Sequence, residues 1–73
     1  MTPLGTYLAK RSINKSEVSR KTGISKVRLS ELTLNENTHL RAKELYLIAL
    51  AIHVDPAVMF IEIHEGINLE KEV

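Results

Sequence analysis

Apolar residues recur along this chain at intervals of three and four, and residues that start or stop helices interrupt them at short distances. Thr2 can cap free amides and Pro3 suits a first helical position, so Leu4, Tyr7, Leu8 and Arg11 at helical spacing predict a first helix over Pro3–Arg11. Asn14-Lys15-Ser16-Glu17 has the form of a capping box with asparagine in the serine slot, and the helix it opens should end at Thr22, before the turn-forming Gly23. Ser25 can cap a third helix from Lys26 to about Thr33, with Val27, Leu29 and Leu32 as its apolar residues. Asn35 to His39 is polar turn material. A fourth helix is predicted over Ala42–Ala51, turning Leu45, Ile48, Ala49 and Ile52 inward, and Val54-Asp55-Pro56 opens a fifth. His53 sits where a helix-ending glycine is expected, which asks for a left-handed turn.

Beyond Phe60 the period changes. Glu62, His64, Gly66, Asn68, Glu70 and Glu72 are polar or glycine, while Ile61, Ile63, Ile67, Leu69 and Val73 alternate with them. Alternation fits a β-strand better than a helix, with a continued helix as the other reading. The fold class expected is all-α, a compact five-helix domain over residues 1–60, with residues 61–73 as a C-terminal arm in which a β-strand is the favoured form.

Composition narrows the classes. With 73 residues and no cysteine, one small domain must be held by its core or by a partner subunit, and a reducing, cytoplasmic setting is expected. No apolar run reaches the roughly 20 residues of a membrane span, and the basic-then-apolar pattern of a signal peptide is lacking, so no membrane role is expected. The net charge of +1 conceals a division. Residues 1–43 hold nine Lys and Arg against three Glu, net +6, whereas residues 44–73 hold one Lys against six acids, net −5. Such a separation suits a chain with one part facing a polyanion, although two ordinary solvated surfaces would produce it as well.

The stretch from Ile13 to Leu32 resembles the helix-turn-helix of the Cro and phage-repressor family, and the resemblance extends from about Leu4 to Phe60. Its physical logic stands without the name. A small residue at Ser19 lets two helices approach, Gly23 makes the turn, and Val18, Ile24, Leu29 and Leu32 pin the angle, so that the second helix can project into a DNA major groove about 12 Å wide. The resemblance implies that Ser25, Lys26, Val27, Arg28 and Glu31 stand where such repressors touch base edges or adjacent phosphates. Lys26 or Arg28 would donate to guanine, Val27 would meet a thymine methyl, and Glu31 would either accept from cytosine or pair with a base on its own helix. Lys15, where the family usually has glutamine, would meet a phosphate, as would Asn35, Asn37 and Arg41 in the loop before the fourth helix. The chain departs from the pattern at Thr33 and Leu8, where many relatives carry a glutamate and its arginine partner.

A lone strand leaves unpaired amides, so the arm calls for a partner, the simplest being its own copy across a twofold axis. The partners expected are therefore double-stranded DNA and a second copy, which together describe a dimeric transcriptional repressor or other regulator on a palindromic operator. The rival is an antitoxin-like interaction module whose arm binds a different protein. An enzyme is not expected: Asp55 is the only aspartate, His39, His53 and His64 are scattered without ligand spacing, and no phosphate-cradling glycine loop exists. No cofactor or metal is assigned.

Overall fold

Four of the five helices begin at a cap that the sequence announces, and the last runs past its expected end. The computed structural model describes residues 1–69. It contains five helices, α1 (Pro3–Lys10), α2 (Lys15–Thr22), α3 (Lys26–Leu34), α4 (Ala42–Ala51) and α5 (Pro56–Ile63). Thr2, Asn14, Ser25 and Asp55 each accept a backbone N–H through their side chains, as caps should. At Asn14 only half of the capping box forms. Its Oδ1 accepts from the Ser16 and Glu17 amides at 2.8 and 3.3 Å, but the Glu17 carboxylate turns outward to Arg20 at 2.7 Å. His53 adopts the left-handed turn, with φ 60.

The helices close around one core of Leu4, Tyr7, Leu8, Val18, Leu29, Leu32, Leu45, Ile48, Ala49, Met59 and Ile63, flanked by half-buried Ile13, Ile24, Leu40, Ile52 and Val54. Helix α3 packs on α1 and α2, α4 packs on α2 and α5, and α5 closes back on α1. Full burial of each large aliphatic side chain contributes about 1.5 to 3 kcal/mol, so these few residues carry most of the favourable burial in so small a domain.

At the joint between α1 and α3 the two backbones approach closely. Gly5 lies against the backbone of Thr33, and a Cβ at residue 5 would overlap the Thr33 carbonyl oxygen. The Thr2 hydroxyl donates to the Leu32 carbonyl at 2.6 Å while accepting from the Gly5 amide at 3.0 Å, and the Thr2 amide donates to the Thr33 carbonyl at 2.9 Å. Carbonyls left open at the end of α3 are thereby satisfied by the start of α1. Thr33 turns its hydroxyl back onto the Leu29 carbonyl at 2.9 Å and is itself buried.

The strand expected from Ile61 does not form over the described residues. Helix α5 continues through Ile63 because Met59 and Ile63, four residues apart, share the face that enters the core, at 0% and 9% exposure. A strand would have put Ile61 beside Ile63, whereas in the helix Ile61 is 69% exposed. A turn over 64–66 follows, with Gly66 at φ 91, and Ile67 to Leu69 are exposed without regular structure. The part of the strand expectation that falls on residues 70–73 lies outside the described residues.

Candidate nucleic-acid interface

Helices α2 and α3 meet through a turn that several independent bonds fix. Gly23 takes φ 80, and its amide donates to the Ser19 carbonyl at 2.9 Å. The Ser19 hydroxyl donates across the turn to the Ile24 carbonyl at 2.6 Å, and the Thr22 hydroxyl donates to Val18 at 2.7 Å while accepting from the Ile24 amide at 3.1 Å. Val18, Leu29 and Leu32 fill the space beneath. Ser19 is thus more than a small spacer: its hydroxyl also ties the turn.

Leu29, Leu32 and Thr33 turn α3 inward, so Lys26, Val27, Ser30 and Glu31 are left on the outer side, all exposed. Val27 is 73% exposed, an apolar side chain presented to water on the outer side of α3. Neither Lys26 nor Glu31 takes part in an ion pair among the described residues. The Ser25 hydroxyl accepts the Arg28 amide at 3.1 Å as the cap of α3, which leaves its own O–H free to donate. Asn14, Ser16, Glu17, Ser19, Arg20 and Lys26 line a shallow groove between the starts of α2 and α3. Ser16 and Arg20 are polar residues of this groove that the sequence reading passed over, and Arg20 at helical spacing from Ser16 was the available signal.

Arg28 is placed differently from its neighbours. Its Nε donates to one Glu44 carboxylate oxygen at 2.8 Å, and its Nη2 donates to the other oxygen and to the His39 carbonyl, both at 3.0 Å. The same Glu44 carboxylate accepts the Arg41 amide at the start of α4, at 3.0 Å. The Arg28 hydrogen bond holds the Glu44 carboxyl below its ordinary value against the opposing effect of burial, with help from the Arg41 amide, and Glu44 in turn raises Arg28. Arg20 lowers the exposed Glu17 carboxyl in the same way.

The remaining expected contact residues fall in two places, the loop after α3 and the start of α2. Asn35 caps the end of α3, its side chain accepts the Asn37 amide at 2.9 Å, and its carbonyl accepts the Thr38 amide at 3.0 Å, so the loop is a hydrogen-bonded turn. Asn37 and Arg41 are exposed on it. Lys15, in the first turn of α2, is half-buried and lines a recess with Ala9, Ile13 and Leu34, away from the groove that contains Lys26. No group of three or more His, Asp or Glu able to hold a metal ion occurs among the described residues.

Two short helices fixed by a glycine turn, the second presenting Lys26, Val27, Ser30 and Glu31 on its exposed face, define a helix-turn-helix domain. The Cro/C1-type HTH DNA-binding domain family matches residues 4–57, and the chain belongs to that family. Comparison with curated proteins and with solved structures finds no match. DNA binding in transcription regulation is the function that this membership assigns. No single helix among the described residues is long and apolar enough to cross a membrane.

Proposed function

We propose that the chain binds duplex DNA sequence-specifically as a cytoplasmic homodimer on a palindromic operator, with α3 in the major groove and no enzymatic role. The observation that carries this reading is the outer side of α3, where Lys26, Val27 and Glu31 stand exposed beside the capping Ser25. Lys26 then donates to guanine, Val27 meets a thymine methyl and Glu31 accepts from a cytosine amino group. Ser25 donates its free O–H to a phosphate or base edge, and Lys15, Asn35, Asn37 and Arg41 contact the backbone on either side, with Ser16 and Arg20 added at the α2 edge.

Pairing of the two copies is supported by the outer side of α5 and the segment after it, where Val58, Phe60, Ile61, Ile67 and Leu69 are between 47% and 98% exposed. A twofold built there needs no strand. To read a palindrome, that twofold must set the two copies of α3 about 34 Å apart, one turn of the duplex.

Selection from random duplex DNA tests both parts. An enriched palindrome is the expected result, with affinity that falls steeply with salt and a loss of about 1 to 3 kcal/mol for Lys26→Ala at the selected site. Absence of binding to any duplex at micromolar protein would sink the reading. Sedimentation of Ile61→Asp should show a monomer. A variant that stays dimeric, or a wild-type protein that is monomeric until it meets a different protein, favours the arm as a docking element for that partner.

A further inference from the structure

Unlike Lys26 and Glu31 on the same helix, Arg28 has its guanidinium engaged within the protein. A guanidinium has five N–H groups. The Nε–H and one Nη2–H are donated to Glu44, and the other Nη2–H is donated to the His39 carbonyl. Both hydrogens that remain sit on Nη1. Arginine pairs with guanine O6 and N7 through two nitrogens acting side by side, and with Nη2 engaged neither the Nε–Nη2 edge nor the Nη1–Nη2 edge of the fork is free for that pairing. Freeing Arg28 would also strand the Glu44 carboxylate, whose side chain is only 13% exposed.

We infer that Arg28 is a positioning residue and not a base reader: it clamps the first turn of α3 to the start of α4 and to the loop that carries Asn35, Asn37 and Arg41. The inference rests on the DNA-binding reading above and narrows its specificity to Lys26, Val27 and Glu31. Three elements converge on one carboxylate and one guanidinium. Helix α3 supplies Arg28, the loop supplies the His39 carbonyl and the Arg41 amide, and α4 supplies the Glu44 carboxylate that accepts from both Arg28 and Arg41. Register between the base-facing helix and the phosphate-facing loop therefore passes through this pair. It does so in a chain that lacks the glutamate and arginine which the resemblance would place at Thr33 and Leu8.

The test uses the full chain, the selected duplex and a set of duplexes that each change one base pair. Arg28→Gln and Glu44→Gln should each weaken binding by about tenfold on every duplex alike, the double variant should be no weaker than either single one, and the base preferences should be unchanged. Lys26→Ala, by contrast, should flatten the preference at one position. Flattening by Arg28→Gln at one base pair, with Glu44→Gln harmless or tighter in binding, would overturn the clamp, because it would mean that Arg28 leaves Glu44 for guanine.

Amide hydrogen exchange without DNA gives the second readout. Both variants should speed exchange at Asn37, Thr38 and Arg41, the hydrogen-bonded amides of the loop, while Glu44→Gln keeps an oxygen able to accept the Arg41 amide. If the wild-type chain binds no duplex, the DNA reading fails on its own. The clamp is then decided by exchange alone, with unchanged loop protection overturning it and faster exchange in both variants supporting it.

Discussion

The two ends of α3 are held by opposite kinds of chemistry. Its last turn is locked to α1 by close backbone approach at Gly5 and by neutral hydrogen bonds from Thr2 to Leu32 and Thr33, all in the interior. Its first turn is held to α4 by the charged pair Arg28–Glu44, whose Arg28 side chain is 29% exposed. Buried neutral bonds without charge are indifferent to salt and pH, whereas an ion pair near the surface weakens as salt rises or its carboxylate is protonated. The helix is thus anchored firmly at the end far from the exposed Lys26 and Val27 and adjustably at the end that carries them.

Four substitutions break or sharpen that contrast. The largest effect is expected from Leu29→Ala, which empties the fully buried position between the two anchors and should cost about 2 to 5 kcal/mol in thermal or denaturant unfolding. Both anchors fail together in that variant. Gly5→Ala should come next at about 1 to 3 kcal/mol, because its Cβ forces α1 and α3 apart at a backbone atom that cannot yield cheaply. A melting temperature unchanged by Gly5→Ala would show the α1–α3 joint to be looser than its hydrogen bonds imply.

Thr2→Val keeps the shape but removes the hydroxyl that bridges Gly5 and Leu32, with an expected loss of about 1 kcal/mol and no change of that loss with salt. The smallest effect belongs to Glu44→Gln and is seen in the pH profile. Glu44 titrates lower in the folded chain than in the unfolded one, so the unfolded chain binds more protons and stability falls as pH falls. The contribution is fully present above the ordinary glutamate value of about 4.3 and is lost as the pH drops through the lowered folded value. Denaturant midpoints between pH 7 and pH 2 should therefore show a flatter acid slope for Glu44→Gln than for wild type. Equal slopes would remove Glu44 from the account. Glu17, also lowered but exposed beside Arg20, should leave a weaker dependence of the same sign in the variant.

Much of the architecture was legible because it depends on short-range rules. Caps at Thr2, Asn14, Ser25 and Asp55, the glycine turn at residue 23 and the inward residues of α4 follow from a few neighbouring side chains, and the structure has them where the pattern put them. The exposed side of α3 was legible for the same reason at Lys26 and Glu31, but not at Arg28, which was expected to face outward and is bound to Glu44. Glu44 was not singled out, although glutamate three residues into a helix is a capping signal, because Arg41 before it is no acceptor. Gly5 carries no local signal at all, since its small size matters only to a helix that arrives some 28 residues later. Alternation after Phe60 misled because it was real in sequence and irrelevant in space: the core claimed Ile63 at helical distance from Met59.

What the sequence determined by itself was where helices begin and end and which of their faces are apolar, since propensity, capping and periodicity act within one or two turns. What only the tertiary structure decided was which polar groups find each other. Arg28 and Glu44 lie 16 residues apart, and Thr2 and Leu32 lie 30 apart, so whether a side chain faces DNA or is bound within the protein depended on how the helices pack. Packing is a cooperative result of the whole core, and no local pattern contains it.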